Sequence, residues 1–126
     1  MRPIRVLVAN QPRLMRELVM ATISDQPDIE IVGEVQDESD ISLAVEKSQP
    51  DFLIIAQGRS RRLPAVCEPI LQNYPRIKVI AVPPARTNFV MFYWTSAQVK
   101  SNRIEASEAG ILSALRGAGR PQVRVQ

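Results

Sequence analysis

The stretch Gln49-Pro50-Asp51-Phe52-Leu53-Ile54-Ile55-Ala56-Gln57 decides the fold of this chain. Phe52, Leu53, Ile54 and Ile55 follow one another with no polar residue between them, so a strand here has both faces covered, as in a central parallel strand. The turn-favouring Gln-Pro-Asp comes before it, and Gln57-Gly58-Arg59-Ser60-Arg61-Arg62 follows as a polar, basic loop. In open α/β sheets the ligand crevice lies outside the carboxyl ends of the strands, which makes position 56 the first place to look for chemistry. An alanine occupies it.

On either side of this strand the chain alternates between periods of two and of 3.6. Ile4 to Ala9 is a short buried-strand pattern stopped by Asn10-Gln11-Pro12. Pro12 suits a helix start, and Leu14, Met15, Leu18, Val19 and Ile23 predict a helix to about Ser24. After the break Asp25-Gln26-Pro27-Asp28, Ile29 to Glu34 reads as a half-covered edge strand. Gln36 to Ser39 offers capping side chains ahead of Ile41, Ala44 and Val45, a second helix ending near Ser48. Val66, Ile70 and Leu71 mark a third helix between Leu63 and Tyr74, which starts late or kinks at Pro69 because an interior proline loses a backbone bond. Ile77 to Val82 is a fourth strand, stopped by Pro83-Pro84. Ser107, Glu108, Ile111, Leu112 and Leu115 form a last helix ended by Gly117, and residues 118–126 read as a flexible tail.

This order predicts an α/β, doubly wound, mostly parallel five-stranded sheet in a single domain over residues 1–117. Arg86 to Glu105 is its atypical region. Four of the six aromatic residues fall between Phe89 and Trp94. Intrinsic preference there favours strand, with Val99 to Ile104 as the expected fifth strand, but helix, hairpin and loop all stay open.

Composition narrows the chemistry. The 126 residues are 45% apolar and 23% charged, with one cysteine and no histidine. That removes His-based acid–base work, the Ser-His-Asp and Cys-His nucleophiles and the common zinc sites. Cys67 shares a helical pattern with Val66 and Ile70 and reads as a buried structural thiol. No apolar run approaches a membrane span and no signal-peptide core opens the chain, so a cytoplasmic location is expected. The formal charge of +3 is modest. Its basic residues cluster at Arg59, Arg61 and Arg62, with Arg86 further along.

Ile-Arg-Val-Leu-Val at the start, Gln-Pro-Asp-Ile-Glu-Ile-Val-Gly-Glu before the second helix, and Gln-Pro-Asp-Phe-Leu-Ile-Ile in the third strand resemble the CheY-like receiver domain of response regulators, in particular receivers of the NarL type. The resemblance covers residues 3–117 and implies a flavodoxin-like strand order 2-1-3-4-5. It also implies a phosphorylation site made of an acidic pair after the first strand, an acceptor aspartate after the third, a Thr or Ser after the fourth and a Lys after the fifth. The matching positions here are Ala9 and Asn10, Ala56, Pro83 and Glu105. Alanine supplies no nucleophilic oxygen, one neutral amide is a poor Mg²⁺ donor set, and Glu105 brings the wrong charge.

The expectation is therefore a pseudo-receiver, not an enzyme, without cofactor or metal, that takes part in two-component signalling by contact with another signalling protein. Phe89, Phe92, Tyr93 and Trp94 are its candidate interface, because aromatic residues dominate interface energetics. Association with a second copy is left open. Arg59, Arg61, Arg62 and Arg86 are a candidate rim for an anion or an acidic partner. The alternative is anion, nucleotide or nucleic-acid binding through Arg59, Arg61 and Arg62. Nucleic acid is disfavoured, since the charge is modest and stacking aromatics are not interleaved with the arginines.

Overall fold

The computed structural model describes residues 2–57, 64–83, 89–96, 98–105 and 108–116. Its elements run β1 (Ile4–Ala9), α1 (Arg13–Ser24), β2 (Ile29–Glu34), a 3₁₀ turn (Glu38–Asp40), α2 (Ile41–Ser48), β3 (Phe52–Ala56), α3 (Cys67–Asn73), β4 (Lys78–Val82), β5 (Phe89–Ser96), β6 (Gln98–Glu105) and α4 (Glu108–Arg116). The strands form one sheet in the order β2-β1-β3-β4-β5-β6.

β2, β1, β3 and β4 are parallel, and β3 lies at their centre as its sequence requires. Val6 pairs with Phe52 and Ala9 with Ile55, while Phe52 pairs with Lys78 and Ala56 with Val82. Successive side chains of a strand point to opposite faces, so each strand feeds two cores. Leu7, Leu53, Ile55, Val79 and Ala81 pack with Ile41, Val45, Ile70 and Leu71 from α2 and α3. Val6, Val8, Phe52, Ile54 and Ile80 pack with Val19, Ile23 and Leu115 from α1 and α4. Phe52, Leu53, Ile54 and Ile55 are each at most 3% exposed. Burying a side chain of this size stabilises by roughly 1.5–3 kcal/mol, so these four residues are a main source of fold stability.

Local chemistry sets the element ends. Asp37 accepts from the Ser39 backbone N–H at 3.1 Å and so caps the turn that leads into α2. α3 starts at Cys67, which leaves Pro69 in the first turn, where its missing N–H costs nothing. Asp51 ties three strands at their amino ends: its N–H donates to Arg5 O (2.8 Å), its carbonyl accepts from Lys78 N (3.0 Å), and its Oδ2 accepts from Arg5 N (3.0 Å). At the far end of the chain, Arg116 donates to both carboxylate oxygens of Asp28 (2.8 and 3.0 Å), which clamps α4 to the loop before β2.

Two expectations need correction. The sheet has six strands instead of five. The strand expected at Val99 to Ile104 is β6, an edge strand separated from β4 by β5. β5 runs antiparallel to β4 and β6 antiparallel to β5. Six residues separate Val82 from Phe89, too few for the crossover of a dozen or more that a parallel strand needs, so the aromatic run turns straight back along β4. The second correction concerns α1. Leu14 and Leu18 are 66% and 54% exposed, whereas Arg16 is buried beside Val19 and Ile23.

Candidate functional site

The place where open α/β sheets carry their crevice, at the carboxyl ends of β1, β3 and β4, is occupied by Ala9, Asn10, Ala56, Gln57, Val82 and Pro83, all buried except the half-buried Ala56 and Pro83. The strand register brings the first four of the five matched positions together. Ala9 and Ala56 close β1 and β3, Asn10 follows at once, and Pro83 follows β4. Glu105 does not join them. It ends β6 opposite Phe89, three inter-strand spacings from β3, or about 14 Å across the sheet.

Asn10 is fully buried, and neither its Oδ1 nor its Nδ2 has a hydrogen-bond partner. Gln57 is also buried; its N–H donates to Val82 O at 2.8 Å, and its side chain bonds Tyr93 of β5. Burial pushes the Tyr93 phenol above its ordinary pKa, an effect the Gln57 bond opposes.

Among the described residues, the cation at these strand ends is one that sequence reasoning missed. Arg16, 3% exposed, reaches from α1 across the end of β1. Its Nε donates to Glu34 Oε2 at 2.6 Å, and Nη1 donates to Gln11 Oε1 (3.2 Å) and Asn10 O (3.3 Å). Gln11 Nε2 in turn donates to Gln36 O. α1, β1 and β2 are thus joined by one guanidinium whose charge is balanced by Glu34, the last residue of β2.

This donor set does not fit a Mg²⁺ ion. Mg²⁺ requires hard oxygen ligands in near-octahedral array, usually with one or two carboxylates. Among the described residues the crevice offers the Asn10 amide oxygen and a Glu34 carboxylate already paired with Arg16. No group of three His, Cys, Asp or Glu side chains among the described residues comes together to hold a metal.

Of the other sequence candidates, Arg59, Arg61, Arg62 and Arg86 lie outside the described residues. Phe89, Phe92, Tyr93 and Trp94 all fall on β5, in register with Glu105, Asn102, Ser101 and Lys100 of β6. Tyr93 is 3% exposed and part of the α2/α3-side core, so it is a packing residue and not an exposed anchor. Cys67 is fully buried, and desolvation pushes its thiol up to about 12, in keeping with an inert structural role. No helix among the described residues is long and apolar enough to cross a membrane.

No protein-family model and no curated protein sequence matches the chain. Among solved structures it is similar to the signal receiver domain of NarL, a response regulator of Mycobacterium tuberculosis. The TM-score is 0.56 with 20% sequence identity, over 69% of this chain and 71% of that one. With the four parallel strands in the order 2-1-3-4 and helices on both faces, this likeness shows a CheY-like receiver fold in the parallel part of the sheet.

Proposed function

We propose that this chain is a pseudo-receiver: a binding module of cytoplasmic signalling that works by contact with another protein and takes no phosphoryl group. The observation that carries the reading is the crevice itself. Ala56 closes the central strand, Ala9 closes β1 with Asn10 next in the chain, and the Glu34 carboxylate at the end of β2 is held by Arg16. Phosphoryl transfer would need a nucleophilic oxygen and a metal-holding carboxylate pair at these positions. The receiver fold favours a role in response-regulator-like signalling, and the β5–β6 hairpin, where the chain departs most from a parallel sheet, is the surface proposed for the partner.

Intact-mass measurement after incubation with acetyl phosphate and Mg²⁺ tests the first half, with a phosphorylatable receiver treated in parallel. No adduct is expected on this chain, and a stoichiometric acyl-phosphate adduct would overturn the reading. Affinity capture with and without nuclease tests the second half, using wild type beside a variant with Arg59, Arg61 and Arg62 changed to Ala. A protein retained after nuclease supports the reading. Retention of nucleic acid alone, lost with the variant, would replace it by the nucleic-acid alternative.

A further inference from the structure

A concave site lies at the opposite end of the sheet, at the amino ends of β1, β3 and β4. It is a cleft of about 390 Å³ between the α2–β3 turn and the α3–β4 turn, and its wall carries Arg2, Arg5 and Arg76 against a single carboxylate, Asp51. Both oxygens of that carboxylate are engaged. Oδ1 accepts from Arg2 Nη2 and Oδ2 from Arg5 N, each at 3.0 Å. Arg2 is therefore neutralised, whereas neither Arg5 nor Arg76 has a carboxylate within ion-pair distance among the described residues.

Arg5 is held in place. Its Nη1 donates to Gln49 O at 3.0 Å, which leaves the rest of its five-donor fork uncommitted. Gln49 presents that carbonyl from the left-handed region, with φ of 48°, where a non-glycine residue is strained. Lys78 places another cation beside the cleft, its Nζ 3.5 Å from Arg76 O. The rest of the wall is Pro50, Tyr74, Pro75 and Ile77, a surface for a flat or compact apolar body. The cleft volume falls in the range of small-molecule sites.

The geometry points to a binding site for a small phosphate ester. The phosphate lies between the Arg5 and Arg76 guanidinium groups and the organic body against Tyr74 and the two prolines. Guanidinium forks match phosphate oxygens in paired, charge-assisted hydrogen bonds, which is why arginine suits this ligand class. The site is separate from the Ala56 crevice and does not rest on the pseudo-receiver reading.

The test is a titration of the full chain with adenosine monophosphate, inorganic phosphate and adenosine, followed by amide chemical shifts and calorimetry. Wild type is compared with Arg76→Ala, Arg5→Met and the remote Arg13→Ala. Arg76 makes no side-chain hydrogen bond among the described residues, so Arg76→Ala should melt with wild type. Support would be saturable binding of the nucleotide with shifts at Gln49–Asp51 and Tyr74–Ile77, weakened about tenfold by Arg76→Ala and unchanged by Arg13→Ala. Inorganic phosphate should bind about tenfold more weakly than the nucleotide, and adenosine not measurably. Absence of saturable binding, indifference to Arg76→Ala, adenosine binding as well as the nucleotide, or inorganic phosphate matching it would each overturn the assignment.

Discussion

Arg16→Met is the most informative single change, because it removes the guanidinium that joins α1, β1 and β2 while keeping an apolar stem in the buried position. The bond to Glu34 at 2.6 Å is the strong one. Deleting one partner of a fully buried pair costs about 3–5 kcal/mol. The Glu34 side chain is 34% exposed and recovers water, which lowers that figure to about 2 kcal/mol. The longer bonds to Gln11 Oε1 and Asn10 O add up to about 1 kcal/mol together. The expected loss is therefore about 2–3 kcal/mol, read in urea as a midpoint lower by roughly 1–2 M at unchanged slope. A cycle with Glu34→Gln should return a coupling of about 1 kcal/mol or more. An Arg16→Met midpoint indistinguishable from wild type, or a coupling near zero, would refute the claim that this network holds the crevice together.

Tyr93→Ala should cost about 3–5 kcal/mol by thermal melting, because it empties a core position on β5. An unchanged melt with a lost partner would instead return Tyr93 to the interface. The Cys67 thiol should resist a disulfide reagent at pH 8 until the chain is unfolded. Its raised pKa contributes stability below the ordinary thiol value, and that contribution is lost as pH rises from there toward about 12. Arg116 holds the Asp28 carboxyl below its ordinary range through their hydrogen bond, so Arg116→Ala should raise the Asp28 titration midpoint, followed by its carboxyl resonance in an NMR titration, back toward the ordinary carboxylate value. The stability from that pair is present above the ordinary carboxylate value and fades as pH falls through the lowered one.

The parallel half of the molecule was legible because its strands are buried on both faces and say so in unbroken apolar runs. Four of the five positions around the crevice could likewise be placed from strand ends alone. Glu105 could not, since its place depends on what lies between β4 and the last helix. The run Phe89 to Ser96 shows strand preference but no direction, and only the shortness of the link from Val82 signals an antiparallel return. α1 misled for a related reason. At 100° per residue, Leu14 and Ile23 lie about 180° apart, so the five apolar positions could not share one core. An arc centred on Val19 and Ile23 takes in position 16, and an arginine there was readable as a buried cation in need of a partner.

The antiparallel hairpin at the sheet edge also bears on how the chain reaches its fold. Phe89 pairs with Glu105 and Ser96 with Gln98, whereas the parallel core waits on meetings such as Val6 with Phe52. Pairings close in sequence lose less loop entropy, so β5 and β6 are expected to pair before the central strands have closed. Laid along β4, the hairpin covers an apolar strand edge that would otherwise stand open to another chain during synthesis. The aromatic strand thus passes the open edge of the sheet from apolar β4 to the more polar β6, which carries Lys100 and Arg103.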